Sequence, residues 1–269
     1  MTNSEMNKSK LETALYTDTT GYSDKEIYSW EGRGATGFSL GIIELRANIA
    51  FAPGNINNAS TFNFPVRYES LGDIDPMWVV AAEPHPKVIE RTVEAAKKLD
   101  MSGCRAVIGN CGFFGNYQPQ VAAELKIPFF GSSLLQTPMV LASMGPDQKV
   151  GVLTADGSKL VEAPAFENCG VTELDRVVTY GIENEPAAVF ILGESGHMNL
   201  SSVERDLVNV ARRMVDENPD VGAIVLECTE FPPHAHAIQD AVRKPVWGFT
   251  TMAYWIHSGL IRKPYTGWV

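Results

Sequence analysis

The feature that most constrains this chain is a stretch of sequence that comes back. Residues 105–131, RAVIGNCGFFGNYQPQVAAELKIPFFG, lie without a gap over residues 222–248, GAIVLECTEFPPHAHAIQDAVRKPVWG, at an offset of 117. Only five of the 27 pairs are identical, so the weight rests on which they are: Ala106 on Ala223, Cys111 on Cys228, Phe114 on Phe231, Pro128 on Pro245 and Gly131 on Gly248. Upstream, LGIIELRA at 40–47 resembles VGVLTADG at 150–157, at an offset of 110. A chain that returns to itself in this way reads as two copies of one supersecondary unit. Each copy carries a cysteine at the end of an apolar run.

The content of each unit follows from its periodicity. FSLGIIEL (38–45), CRAVIGNC (104–111), IPFFGSSL (127–134), VGAIVLEC (221–228) and KPVWGFT (244–250) are short apolar runs of strand type. PKVIERTVEAAKKL (86–99) and VERDLVNVARRMVDEN (203–218) place apolar residues on one helical stripe, and YQPQVAAEL (117–125) and PPHAHAIQDAV (232–242) are shorter helices. QKVGVLTADGSKL (148–160) reads as strand, turn and helix start. Strands alternating with helices predict an α/β fold, and the repeat makes it two similar α/β domains with parallel sheets; if these are related by pseudo-two-fold symmetry, the active site falls in the interdomain cleft. The expected boundaries are an N-terminal arm at 1–35, a first domain at 36–147 holding Cys111, a second at 148–250 holding Cys228, and a C-terminal segment at 251–269 packing back on the first. The stretch 46–70 is unusually long for a loop, and with its aromatics, Arg46 and Arg67 it is expected to be functional.

Composition excludes several classes of function. The chain has 269 residues, 45% hydrophobic and 20% charged, enough for a large core in one or two domains. A net charge of −10 with no basic run argues against a nucleic-acid partner, because phosphates need Lys and Arg to neutralise them. No apolar stretch is long enough to span a bilayer, and the first residues lack the apolar segment of a secretory signal, so the cytoplasm is the expected location and no membrane is expected as a partner. The four cysteines, 104, 111, 169 and 228, form no C-x-x-C pair, which disfavours a zinc ribbon, a redox motif or a disulfide scaffold. Cys104 and Cys169 have no internal match and read as small buried apolar side chains.

The matched cysteines suggest chemistry. In open parallel sheets ligands bind beyond the carboxyl ends of strands, so two halves facing each other would bring Cys111 and Cys228 to one cleft. A thiol at a helix N-terminus is expected to have a lowered pKa. Two thiols on opposite sides of one carbon can remove and supply a proton. Arg46 is a candidate bidentate partner for a substrate carboxylate, or alternatively an ion pair with Glu44. Phe113 and Tyr117 line the pocket or belong to the core. A sulfonium substrate would favour aromatic walls, whereas an amino acid would need an acceptor for its ammonium, which Glu230 or Glu227 could provide. Other signals are weaker. The Gly32–Gly37 stretch GRGATG precedes the first strand instead of following one, and GESGH (193–197) is one residue short of a nucleophile elbow. His234 and His236 lie two apart on a helix and so point apart, which argues against a metal site.

LECTEFPP (226–233) resembles the second cysteine motif of the aspartate/glutamate racemase superfamily, and VGVLTADGS (150–158) resembles the strand and loop that open its second domain. The resemblance extends over roughly residues 38–250. It implies catalysis without cofactor or metal, Cys111 and Cys228 as the acid/base pair, Thr154 and Thr229 near the polar groups of a small carboxylate substrate, and a homo-oligomer. Asn110 and Gly112, which flank Cys111, join the expected substrate-binding set. The first motif departs from the amino-acid racemases, where Asn-Thr follows the cysteine; here Gly112-Phe113-Phe114 follows. NCGFF, YQP and LTADGS are more similar to the branch that contains the algal dimethylsulfoniopropionate lyases, which remove a proton next to a carboxylate and expel dimethyl sulfide, leaving acrylate. Racemisation and elimination both remain open on this reading, as does a protein that binds a small carboxylate without turnover.

Overall fold

A computed structural model describes residues 35, 37–193, 196–262 and 265, and two four-stranded sheets organise them. The first sheet holds β1 (Leu40–Glu44), β2 (Val66–Ser70), β3 (Ala106–Gly109) and β4 (Phe129–Phe130), in the order β2-β1-β3-β4. The second holds β5 (Lys149–Thr154), β6 (Val177–Gly181), β7 (Val221–Leu226) and β8 (Val246–Trp247), in the order β6-β5-β7-β8. All the pairings are parallel. The two orders coincide strand for strand, so the α/β repeat expected from the sequence is the architecture of the chain.

The correspondence reaches single residues. The offset of 117 lays β4 on β8 and starts the helix Gln118–Ala123 where Ala235–Val242 starts. Gly41 in β1 and Gly151 in β5 are partners at the offset of 110, and each lies where its half's long helix comes closest. A Cβ on Gly41 would stand 2.8 Å from Leu99 of the helix Pro86–Met101, and one on Gly151 would stand 2.1 Å from the sulfur of Met214 of the helix Leu200–Glu217. Glycine in a strand interior commonly marks such an approach.

Each sheet is covered on both faces, but the second cover is borrowed. Val88, Val93, Ala96 and Leu99 of Pro86–Met101 pack with Ile43 and Val107 of the first sheet. Leu207, Val210 and Met214 of Leu200–Glu217 pack with Leu153, Ile224 and Leu226 of the second. On the opposite faces the last helices of the two halves are exchanged. Phe249, Met252, Ala253 and Ile256 of the helix Phe249–Leu260 bury against Leu40, Ile42, Ala106 and Ile108 of the first sheet. Val140 and Leu141 of the helix Thr137–Ala142 join Val150, Val152, Ala223 and Val225 of the second. Each fully buried aliphatic side chain contributes about 1.5–3 kcal/mol, so the exchange holds the two sheets together through their cores. The beginnings of the two helices are also tied: Gln136 Nε2 donates to Gly248 O at 3.0 Å, and Thr251 Oγ1 donates to Gln136 Oε1 at 2.9 Å.

β2 and β6 were not foreseen from the sequence. VRYES and VVTYG are edge strands, half-buried at nearly every position, so they show neither alternation nor a continuous apolar run. The expected arm, most of the Gly32–Gly37 stretch, and Glu194 and Ser195 of the 193–197 stretch lie outside the described residues, as do 263–264 and 266–269. Among the described residues no helix is long and apolar enough to cross a membrane.

Candidate active site

The central strand of each half ends on a cysteine. After the fully buried β3 come Asn110 and Cys111, and a 3-10 turn, Gly112–Tyr117, begins at once. After β7 come Glu227 and Cys228, followed shortly by the 3-10 turn Pro232–His234. Both cysteines line one cavity of about 620 Å³, mouth included. Asn110, Gly112, Phe113, Glu227, Thr229 and Glu230 line it with them. Its remaining walls are apolar and come from Leu45, Ala47, Ile49 and Phe51, from Pro76, Met77 and Val80, from Ala155, and from Ile191 and Leu192. No local pattern marks the walls at 76–80 and 191–192, because only the tertiary fold carries them to the strand ends.

Three expected site residues lie elsewhere. Arg46 is exposed and is not part of the cavity wall. The chain runs on from β1 so that Leu45, Ala47, Ile49 and Phe51 face the cavity, and Arg46 falls on the opposite parity. Tyr117 is fully buried behind the site: its hydroxyl donates to Trp78 O at 3.0 Å and accepts from His85 N at 3.0 Å. It therefore holds the 78–85 segment in place and does not face a ligand. Thr154, also fully buried, does not line the cavity; its Oγ1 donates to Glu227 Oε2 at 2.7 Å.

The remaining polar contacts fix the cavity floor. Asn110 is committed to the backbone: its Oδ1 accepts from Leu45 N at 2.7 Å. The Thr229 hydroxyl lies 2.9 Å from Asn110 O and 3.0 Å from Glu230 Oε2, which joins the two halves across the site. Cys228 Sγ donates to Glu230 Oε2 at 3.2 Å, and Asn55 Nδ2 donates to Glu230 Oε1 at 3.1 Å. Asn55 belongs to the long 46–70 stretch, which docks on the second cysteine motif; at Gly54, φ is +104° and a Cβ would stand 2.8 Å from Pro233 Cα. Gly112 is required by its neighbour, since a Cβ there would stand 2.0 Å from Glu227 Oε1 and 2.4 Å from Glu227 O.

Burial decides the electrostatics. The Cys111 thiol is pushed well above its ordinary range by burial first and then by Glu227, while the Phe113 N–H works the other way. Cys228 is pushed up likewise, by burial, then Glu230 and Glu227, against the Glu230 N–H. The lowering expected from a helix N-terminus is thus reversed: each sulfur meets one backbone donor, Phe113 N–H or Glu230 N–H, too little to offset desolvation next to carboxylates. Burial also raises Glu230, and it lifts Glu227 to about 7. In the resting protein the thiols are protonated and Glu227 is poised between its two forms.

No cationic side chain among the described residues lines this cavity. Among the described residues, no three His, Cys, Asp or Glu side chains gather as a metal-binding group. His234 Nδ1 pairs with Glu204 Oε2 at 3.2 Å and His236 Nε2 with Asp240 Oδ2 at 3.6 Å, on separate partners. The set can therefore hold, release and accept protons in an enclosed, largely apolar space, and it favours a positive group over an anion.

Comparison with known proteins places these features. Residues 79–256 match the family model described as Asp/Glu/Hydantoin racemase. Dimethylsulfoniopropionate lyase 7 of Emiliania huxleyi (strain CCMP1516) is 28% identical over 236 residues, covering 85% of this chain and 69% of its own. Dimethylsulfoniopropionate lyase 3 of the same organism is 29% identical over 236 residues, covering 85% of this chain and 61% of its own, so these relatives extend well beyond the matched part. The fold is shared with a glutamate racemase isoform from Bacillus anthracis, at a TM-score of 0.51 and 14% identity, covering 83% of each chain.

Proposed function

Because the chain belongs to the Asp/Glu/Hydantoin racemase family, we propose that it is a cofactor-independent enzyme that removes the proton alpha to the carboxylate of a small zwitterion, in a β-elimination of the dimethylsulfoniopropionate lyase type. The observation that carries this reading is the cavity itself, where two matched thiols and two carboxyl groups meet, with no cationic side chain among the described residues of its wall. A substrate bearing a sulfonium suits such a space, because its positive charge meets Glu230 and lowers the pKa of every acid nearby. The lyase relatives agree with this choice of substrate class.

In the proposed reaction Cys228 is the base. Its proton passes to Glu230, 3.2 Å away, as the sulfonium enters. The thiolate then takes the alpha proton, the C–H electron pair becomes the Cα–Cβ double bond, and the C–S bond breaks with its pair leaving on sulfur. Acrylate, dimethyl sulfide and one proton result, and the proton returns to solvent through the Cys228–Glu230 pair. Racemisation is the second reading, and the observation that favours it is that Cys111 occupies the position equivalent to Cys228, where it could supply a proton to the opposite face.

The test is incubation in D₂O with dimethylsulfoniopropionate and, separately, with the D and L forms of aspartate and glutamate, followed by NMR. Acrylate and dimethyl sulfide, lost in Cys228→Ala, are the expected outcome. Alpha-deuteration with loss of optical purity would replace elimination by racemisation, and no reaction with any of them would sink both.

A further inference from the structure

Among the described residues of the cavity wall a small carboxylate meets no arginine and no lysine, which turns attention to its uncharged donors. Glu227 is 1% exposed, lines the cavity, and uses only one of its two oxygens. Oε2 accepts from Thr154 at 2.7 Å, whereas Oε1 is buried without a hydrogen-bond partner. An ionised oxygen left so is costly, because nothing replaces the water it has lost. Since the Thr154 proton is directed at Oε2, the carboxyl proton belongs on Oε1. That atom stands beside Gly112, where the absence of a side chain makes room for it.

We infer that Glu227 is the carboxylate-binding residue: in its protonated form its Oε1–H donates a hydrogen bond to a carboxylate oxygen of the substrate. The proton stays on Glu227, because a substrate carboxylate is the weaker base of the two: model carboxyls titrate near 4 and Glu227 near 7. As the alpha proton leaves, charge grows on the oxygen that this donor faces, so the bond strengthens towards the transition state. The inference rests on the reading that the site takes a small carboxylate, and it concerns recognition regardless of which reaction follows.

The sign of the pH effect follows. Below about 7 Glu227 is a donor; above it, the residue is an anion that repels the ligand. The other titratable groups facing it are Cys111, Cys228, Cys169 and Glu230. Burial pushes all three thiols up, so they stay neutral through this range, and Glu230 is the one group that could imitate the effect.

Propionate, which has no leaving group, is the probe, and calorimetry at pH 6 and pH 8.5 reads its affinity in the wild type, Glu227→Gln, Glu227→Met and Glu230→Gln. A single proton linkage weakens wild-type binding roughly tenfold or more across that interval. Glu227→Gln keeps a donor at all pH values, so its affinity should change less than about threefold, a near-flat profile under the same linkage. Glu227→Met should bind poorly at both pH values, and Glu230→Gln should keep the wild-type slope. The idea is overturned if Glu227→Gln retains the wild-type pH dependence, if Glu227→Met binds as well as Glu227→Gln, or if Glu230→Gln abolishes the slope. Should Glu227→Met fail to fold, the isosteric Gln variant against wild type still decides. A lack of elimination in D₂O together with this propionate pattern would remove the lyase reading and leave the role of Glu227 intact.

Discussion

At the offset of 117, the residues that end the two central strands read Asn110-Cys111-Gly112-Phe113 in one half and Glu227-Cys228-Thr229-Glu230 in the other. Their backbones are used alike. Asn110 N donates to Ile43 O at 3.1 Å, and Glu227 N to the equivalent Leu153 O at 2.8 Å; Phe114 N donates to Cys111 O at 3.0 Å, and Phe231 N to Cys228 O at 3.2 Å. Their side chains are not alike. Where one half has a neutral amide tied to the backbone of Leu45, the other has a buried acid with a free oxygen. Where one has Phe113, the other has Glu230 against the thiol. A duplicated frame thus carries two carboxyl groups beside the cysteine on one side and an amide and an aromatic ring on the other. A racemase that must accept protons on both faces gains from equivalent sides, whereas an elimination needs one strong base.

The cysteines give the sharpest way to break this comparison. Cys228→Ala should lower the rate about 10³-fold or more, and Cys111→Ala about ten- to a hundredfold, within the range for loss of an acid or base. Equal losses in kcat would restore two equivalent sides and favour racemisation. Stability offers a second contrast. Glu227 is raised from 4.5 to about 7 in the folded state, so its contribution is present in full below about 4.5 and is lost as pH rises to about 7. The loss amounts to roughly 3 kcal/mol. Urea melts of wild type and Glu227→Gln should therefore diverge between pH 4.5 and 7 in favour of the variant, and a gap that does not change with pH would show that the carboxyl does not titrate in this way. The smallest effect concerns space. Gly112→Ala places a methyl against the Glu227 carboxyl and carbonyl and should cost about 1–3 kcal/mol. At the equivalent position, Thr229→Ala should lose only a hydrogen bond, about 1 kcal/mol. A thermal melt of each separates the two, and Gly112→Ala melting no lower than Thr229→Ala would count against the close approach.

Much of the frame was legible because its signals are local. Apolar runs, the amphipathic stripes at 86–99 and 203–218, and the recurring cysteine, proline and glycine each depend on neighbours in sequence. What failed depends on neighbours in space. β2 and β6 are edge strands with mixed exposure, so no local pattern marks them. Arg46 has the chemistry of a carboxylate partner, but parity along an extended segment turns it outward. Tyr117 sits five residues beyond Gly112 in the same turn, yet its hydroxyl is occupied by Trp78 and His85. The thiols were expected to be acidic from their place before a turn; burial, invisible in a sequence, sets the opposite direction. Glu227 carried a usable signal, as an acid closing an apolar strand opposite an asparagine in the repeat.

The exchanged helices bear on the order in which this chain is made. The first sheet is covered on one face by Phe249–Leu260, about 140 residues downstream of β3, so the first half emerges from synthesis with that face bare. The entropy of closing so long a loop grows slowly with its length, but contacts this distant form late. Thr137–Ala142, by contrast, is ready before the strands it will cover exist. The first half is therefore the last to be finished, and removing residues after 248 would strip the face of the older sheet, leaving the second half with its own cover in place.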